Sequence, residues 1–285
     1  MKPAQFDYIA PTTLTAAVEA LAATNGDGKV LAGGQSLLPL LNFRMVRPSL
    51  IIDLNGIKEL SFIELRGESV VVGALTRHRE IEQSALIASK LPILSAAMRH
   101  VAHLAIRNRG TIGGSLSHAD PAAELPMMAV FHDATIVVEG TAGRRRIAAE
   151  EFFVDALTNS LEQDEIVAEV EFPIPRQDGW AFEEVARRFG DFALASIAVS
   201  VRRGASRLEE ARTAAMGVAD TPLRLRTVED RLAGVEIDDG LPDRFSELVM
   251  SSVSPNSDLH ASAEYRRRLL GALAKRAIAT ALGTC

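Results

Sequence analysis

The sequence predicts an α+β protein in two parts: a larger mixed N-terminal region, then a smaller C-terminal domain of antiparallel sheet plus helices. Three observations predict it. Stretches of helical apolar spacing alternate with short β-branched runs in the first half, residues 134–203 form a succession of strand-like segments, and amphipathic stretches close the chain. PIPRQDGW, residues 173–180, combines prolines, a glycine and charges, as linkers do, and sets a boundary near 176 that divides the chain into 1–176 and 177–285.

Taken in order, LTAAVEALAA (14–23) has helical spacing, KVLAGG reads as a short buried strand, and SLLPLLNFRM returns to helix. Ser36 is placed to cap that helix, which puts Pro39 within the first turn, where its missing N–H costs least. SLIIDL and SVVVGAL are strands, with turn residues between them in NGIKEL and LRGE. Helices are expected over 77–90 and 93–105. Asp120 is expected to cap a further helix, with Pro121 in its first position. ATIVVEG, RRRIA, EIVAEVEFPIP, WAFEEVARR and LASIAVSVRR are β-branched or alternating, hence strands. RLEEARTAAMGVADTPLRL predicts a strand and turn, and helical periodicity returns over 223–234, 240–253 and 262–282.

Composition narrows the function classes. The 285 residues carry a net charge of −6 with both signs scattered, so no basic face offers itself to nucleic acid. The short runs Arg144–Arg146 and Arg266–Arg268 read as solvated surface. The N-terminus lacks a secretory pattern and no apolar run approaches the ~20 residues that cross a bilayer, so no membrane span and a cytoplasmic location are expected. The only cysteine is Cys285, which leaves no thiolate cluster for iron and sulfur or for structural zinc; redox chemistry here must use an organic cofactor. His100 and His103 share a helical face, but nothing completes a ligand set, and no metal is expected.

Two glycine pairs remain. AGGQS (32–36) and TIGGS (111–115) each lie near a helix start, where glycines permit positive φ and successive N–H groups form an anion-binding concavity suited to a pyrophosphate. The plainer reading is a pair of strand-to-helix corners. Neither stretch fits G-x-G-x-x-G or G-x-x-x-x-G-K-[ST], so spacing alone leaves both readings open.

The residues themselves go further. AGGQS and TIGGS, with HADPAAELP (118–126) and RRFGDFALAS (187–196), resemble the FAD-binding medium subunits of molybdenum hydroxylases, the xanthine dehydrogenase family, which includes subunits of carbon monoxide, quinoline, nicotine and purine-alkaloid dehydrogenases. The resemblance spans essentially the whole chain. It implies a two-part, PCMH-type FAD-binding α/β domain similar to that of vanillyl-alcohol oxidase, with subdomains of about 1–55 and 56–176, followed by the C-terminal domain. It implies that FAD is bound without a covalent link, its pyrophosphate wrapped by backbone N–H groups of Ala32, Gly33, Gly34, Gln35 and Ser36 on one side and lined by Thr111, Ile112, Gly113, Gly114 and Ser115 on the other. Glu124 falls where many relatives have Asp, facing a ribose or ribityl hydroxyl. Ile166 or Val167 falls near flavin or adenine, and Arg188, Asp191 and Phe192 come close to the isoalloxazine, Phe192 where some relatives have Tyr.

The same resemblance implies partners: a large molybdopterin-binding subunit that hydroxylates the substrate and a small subunit with two [2Fe–2S] clusters, in a dimer of heterotrimers. Electrons pass through this chain's FAD to an external acceptor, and no side chain here is expected to be catalytic on the organic substrate. AGGQS and VAHLAIRNRGTIGGSL look closer to N-heteroaromatic hydroxylases than to carbon monoxide dehydrogenase. Without the family, Glu124 reads as a solvated first-turn acid, Phe192 as a core aromatic and His118 as a surface loop residue, while Arg107 and Arg109 fit either phosphate or a partner subunit. Two rivals are a self-contained FAD oxidoreductase, for which the C-terminal half offers no cluster of His, Tyr or Cys, and an assembly subunit without flavin, against which the intact glycine pairs argue.

Overall fold

The computed structural model describes residues 2–283, so Cys285 lies outside the described residues. At the N-terminal end, β1 (Asp7–Ile9), β2 (Gly28–Leu31) and β3 (Leu50–Asp53) pair in parallel in the order β1-β3-β2. Helix α1 (Leu14–Ala23) buries Leu14, Ala17, Val18 and Leu21, the i, i+3, i+4, i+7 face, and its first turn is capped by the Thr13 hydroxyl, which accepts from Ala16 N at 3.3 Å. Helix α2 (Leu37–Asn42) follows β2, with Pro39 in its first turn. Ser36 stands in the capping position but its side chain makes no capping bond.

The middle of the chain builds an antiparallel sheet. Strands β4 (Ile63–Arg66), β5 (Ser69–Gly73), β6 (Thr135–Gly140), β7 (Gly143–Ala148) and, after the small hairpin β8 (Phe153–Asp155) and β9 (Thr158–Asn159), β10 (Ile166–Pro173) assemble as β4-β5-β10-β6-β7. Between β5 and β6 run six short helices: α3 (His78–Gln83), α4 (Ala85–Lys90), α5 (Pro92–Ala97), α6 (Leu104–Arg107), α7 (Ile112–His118) and α8 (Glu124–Phe131); α9 (Ala149–Phe152) follows β7. The helix expected over 77–90 is broken at Ser84, whose hydroxyl accepts from Ile87 N at 3.2 Å and so starts a new helix. That over 93–105 ends at Ala97, and the chain passes through Ala102 in the left-handed region (φ 43°) before α6 begins.

Every residue of α8 is buried, which requires cover on all sides. The central sheet supplies one wall through Val70, Val72, Ile136 and Val138, and the C-terminal sheet supplies another through Ala198, Ala214 and Met216, small side chains that let the helix come close. That second sheet is β11 (Gly179–Ala186), β12 (Ala193–Arg203), β13 (Leu208–Met216) and β14 (Leu223–Arg224), antiparallel and in sequence order. Its other face, with Ala195, Ile197, Val199 and Val201, packs on α10 (Arg226–Leu232), α11 (Leu241–Ser251) and α12 (Ala263–Gly283). Strand alternation on β12 thus sorts residues between two cores.

Two arginine arrangements tie these layers. At the end of α8 the Phe131 carbonyl accepts from Arg212 Nη1 at 3.1 Å and from Arg224 Nη1 at 3.4 Å, placing cations on the negative end of the helix, and Asp133 pairs with both arginines. Arg266, read from sequence as solvated surface, is buried; its guanidinium donates to Leu194 O, Gly217 O and Asp258. Arg144, Arg145 and Arg146 are exposed, each paired with a glutamate.

His132 lies in the central core with its ring edge-on to Phe131 and Phe172, and neither ring nitrogen has a partner among the described residues. Burial first, then Arg212 and Arg224, push its pKa down to about 3. The unfolded state therefore binds a proton that the folded state refuses between pH 6.5 and about 3. The sign follows: stability is complete above the ordinary histidine pKa and falls as pH drops through this window, by about 1.4 kcal/mol per pH unit for one such group. His132→Leu is expected to flatten the acid limb of a plot of unfolding free energy against pH between 6 and 4, measured by denaturant titration; an unchanged slope would refute the assignment.

Candidate functional site

The two glycine loops meet. Gly33 is buried so tightly against the second loop that a Cβ there would stand 2.3 Å from Arg109 O and 2.8 Å from Gly110 Cα. Gly34 takes φ +74°, turning the chain into α2. The contact is fixed by a ring of side-chain bonds: Asn55 Nδ2 donates to Ala32 O at 2.9 Å, Arg77 Nη2 to Asn55 Oδ1 at 2.6 Å, and Arg77 Nη1 to Arg109 O. Asp53 holds Asn55 in turn. Burial pulls the Asp53 carboxyl upward, but bonds from Asn55 N and Tyr8 Oη, with Arg109 nearby, leave it below the usual range.

The loops are not alike in what they offer. Among the described residues, the backbone N–H groups of Gly33, Gly34, Gln35 and Ser36 find no acceptor, and the Gln35 side chain folds back to donate to Gly33 O at 3.0 Å. In the second loop Ile112 N donates to Thr76 O at 3.2 Å and Gly113 N to Ala74 O at 2.9 Å. There, too, Gly114 N goes to Thr111 Oγ1 at 3.2 Å and Ser115 N to Thr111 O at 3.0 Å. Its glycines lie inside α7, capped by Thr111, a helix the sequence reading missed because adjacent glycines weaken helix propensity. A threonine just ahead of the pair was the available signal. Thr111 to Ser115 therefore form a wall, with Gly114 facing Ala32: a Cβ on Gly114 would stand 3.8 Å from Ala32 Cβ.

Gly113 serves packing instead, since its Cβ would fall 2.6 Å from Ala74 Cβ. His78 secures the wall from behind: its Nε2 lies 3.0 Å from Thr111 O and its backbone N–H donates to Gly110 O. Burial above all, with Arg107 and Arg77 nearby, lowers its pKa to about 4, against the bond to Thr111 O. A neutral ring with the proton on Nε2 satisfies that carbonyl.

The remaining expected residues divide. Glu124 is buried, not solvated, and opens α8; Asp120 does not cap that helix but accepts from Ala122 N at 2.9 Å, closing the turn before it. Ile166 packs in the apolar cluster under the parallel sheet, against which Ala32 also rests, whereas Val167 points into the central core. Arg188 is exposed on the turn after β11. Phe192, expected from sequence alone in the core, is 61% exposed. With Asp191 it lines a cleft of about 650 Å³ shared with Asp120, Pro121, Leu157 and Arg266, and no residue of either glycine loop reaches that cleft. Arg107 is buried on Glu82 Oε2, Val101 O and Ala102 O, which leaves Arg109 as the exposed arginine of the pair. His103 stacks loosely on Phe189, and His100 faces Glu184. No group of three potential metal ligands gathers among the described residues.

Residues 4–175 match the family described as the FAD binding domain in molybdopterin dehydrogenase, and residues 180–281 match the CO dehydrogenase flavoprotein C-terminal domain. The chain belongs to the FAD-binding medium subunits of the molybdenum hydroxylase family. Caffeine dehydrogenase subunit beta of Pseudomonas sp. (strain CBB1) is 42% identical, covering 99% of this chain and 96% of that one. Nicotine 6-hydroxylase medium subunit of Paenarthrobacter nicotinovorans is 40% identical, covering 99% of each. Among solved structures, carbon monoxide dehydrogenase from Hydrogenophaga pseudoflava superposes with a TM-score of 0.96 at 35% identity, covering 100% of both chains. The fold is accordingly the family's two-domain FAD-binding fold, and the chain is the flavin subunit of an oxidoreductase.

Gly33 and Gly114 separate loop packing from ligand approach. Gly114→Val points into the gap between the loops, where its Cβ meets the capping Thr111 hydroxyl at 2.9 Å and stands 3.8 Å from Ala32 Cβ, so it is expected to lose bound FAD while the chain still folds cooperatively. Gly33→Val drives a side chain into backbone and is expected to cost stability as well, about 1–3 kcal/mol or more. Flavin absorbance per chain alongside thermal unfolding reads both; Gly114→Val with full flavin content would sink the assignment of the gap.

Proposed function

We propose that the chain binds FAD non-covalently with its pyrophosphate between the loops 32–36 and 111–115, and relays electrons from the [2Fe–2S] clusters of a small partner subunit to an external acceptor. The observation that carries this reading is the row of four unpartnered amides, Gly33 to Ser36, on a loop packed so closely on its neighbour that a Cβ does not fit. Amides in such a row suit a phosphate oxygen, and α2 begins directly behind them. Bound there, FAD supplies both one- and two-electron redox chemistry. The wall of Thr111 to Ser115 excludes water from one side, and Glu124 accepts or donates a hydrogen bond toward a sugar hydroxyl. Ile166 supports Ala32 from below, while Val167, inside the core, acts only through packing. Arg188, Asp191 and Phe192 border the open edge from which electrons leave.

In this reading residues 1–176 hold the cofactor and 177–285 form the C-terminal domain. The large molybdopterin-binding subunit performs the hydroxylation, the whole is a cytoplasmic dimer of heterotrimers, and the substrate is an N-heteroaromatic compound. The likeness to caffeine and nicotine enzymes and to quinoline 2-oxidoreductase from Pseudomonas putida 86, at 38% identity, supports that substrate class. Among the described residues no helix is long and apolar enough to cross a membrane.

The purified complex is expected to be yellow and to release FAD, not FMN, on denaturation, and to contain a cysteine-rich small subunit and a large one. The chain alone is expected to oxidise no N-heteroaromatic substrate. Turnover by the isolated chain, or full dehydrogenase activity in a colourless complex, would defeat the proposal.

A further inference from the structure

Asn55, just beyond β3, is an exposed residue whose side-chain amide is fully engaged. Its Nδ2 donates to Ala32 O at 2.9 Å and to Asp53 Oδ1, and its Oδ1 accepts from Arg77 Nη2 at 2.6 Å. A guanidinium only donates, so Arg77 decides which end of the amide faces it. Nδ2 is thereby turned to Ala32 O. A carboxylate at this position would only accept, and an aliphatic side chain would do neither. Asp53 steadies the arrangement from behind: its Oδ1 accepts from Asn55 N at 2.9 Å and its Oδ2 from Tyr8 Oη at 2.7 Å.

The consequence lies one peptide bond away. No peptide bond among the described residues is cis, so in the planar unit joining Ala32 to Gly33 the C=O and the N–H point in opposite directions. Holding Ala32 O on Asn55 therefore turns Gly33 N–H away from Asn55, and that N–H has no acceptor among the described residues. The next two peptides repeat the pattern. Gly33 O accepts from Gln35 Nε2 at 3.0 Å and Gly34 O from Leu38 N at 3.1 Å, while the N–H groups of Gly34 and Gln35 stay unpartnered. Of these three carbonyl bonds, only the one from Asn55 reaches in from outside the loop and α2. Through Arg77, whose Nη1 donates to Arg109 O, the same side chain ties the first amide of the row to the second loop.

We infer that Asn55 is a positioning residue for the anion site: by holding the carbonyl of Ala32 it fixes the direction of the Gly33 amide that meets the pyrophosphate. The inference rests on the FAD reading for what that amide meets, but the direction of the amide does not depend on it. Glycine allows its peptide to turn widely, so without Asn55 the Gly33 N–H has no single direction. An amide that must be reoriented on binding contributes less to affinity than one already aimed.

The test reads the amide directly. Ala32–Gly33 is one of three Ala–Gly pairs in the sequence, with Ala142–Gly143 and Ala233–Gly234. The full chain, isotope-labelled at alanine carbonyls and glycine nitrogens and freed of flavin, therefore gives three peaks in a carbonyl-to-amide correlation spectrum. Gly143→Asn and Gly234→Asn identify two of them, since a Cβ meets nothing at either position and Asn tolerates their left-handed backbone. In Asn55→Leu, neutral and of similar size, the Gly33 peak is expected to move while the other two stay, with a thermal midpoint close to native because the side chain is exposed. Inorganic pyrophosphate is expected to shift the native Gly33 peak, and the half-saturating concentration should rise about tenfold or more in Asn55→Leu. FAD affinity should fall by the same factor. Asn55→Asp, which sets an oxygen against Ala32 O, is expected to move the same peak and to weaken both ligands even at high salt, where repulsion by its charge is screened. An unmoved Gly33 peak in both variants, or native affinity for pyrophosphate and FAD in either, would overturn the proposal. If the native Gly33 peak answers neither ligand yet moves in Asn55→Leu, the FAD reading of the loop fails and the control of the amide by Asn55 stands.

Discussion

Gly33 lies against the carbonyl of Arg109 with no room for a side chain, and the site is organised around that contact. Asn55 and Arg77 close a ring from Ala32 O to Arg109 O, so the first loop is held by its carbonyls and by side chains from β3 onward. Its amides are left over. Had the loop been secured through its own N–H groups, as the second loop is, nothing would remain to meet a phosphate. Two loops of similar sequence thus do opposite things: one presents donors, and the other engages its donors on Ala74, Thr76 and Thr111 to become a wall.

The wall is rigid because it is anchored far from itself. Gly113 bonds to Ala74 at the end of β5, His78 holds Thr111 from α3, and Asn159 Nδ2 reaches Ser117 O from the β8–β9 hairpin at 2.7 Å. Behind it, α8 is enclosed between two sheets, and the two arginines on Phe131 O tie its far end to the C-terminal sheet. Small residues on the facing strands, Ala198 and Ala214, set how close that sheet comes. The charge of Glu184 on β11 adds to the burial that raises the pKa of Glu124 at the head of the helix.

Much of this was legible in the sequence. The α1 heptad-like spacing, the strands at 50–53, 69–73 and 135–140, and the last helix all follow from apolar periodicity, which survives because each packs on one face. The glycine pairs were visible as residues but not as roles, since sequence does not say which N–H groups find acceptors. Phe192 and Arg266 exchanged the places their side chains predict: an exposed phenyl ring borders a cleft, and a buried guanidinium caps the carbonyls of Leu194 and Gly217. Strand alternation in WAFEEVARR puts Glu184 on the face of Trp180 and Phe182, which pack against the central core, and its side chain is 3% exposed although its charge favours solvent.

Burial drives the pKa of His78 down to about 4 and that of Glu124 up to about 8, so each favours its neutral form at neutral pH. The amides of Gly33 to Ser36 carry partial charge that does not titrate at all. An electron-relay cofactor is sensitive to nearby charge through its reduction potential, because a unit charge in a partly buried site acts with little screening. In the proposed reading the pyrophosphate is held by amides, which do not titrate, with the His78 imidazole kept neutral behind the second loop. The chemistry on the organic substrate belongs to another subunit in this reading, and what the chain has to provide is a fixed electrostatic setting. The same burial that makes His78 and Glu124 awkward to accommodate is what favours their neutral forms.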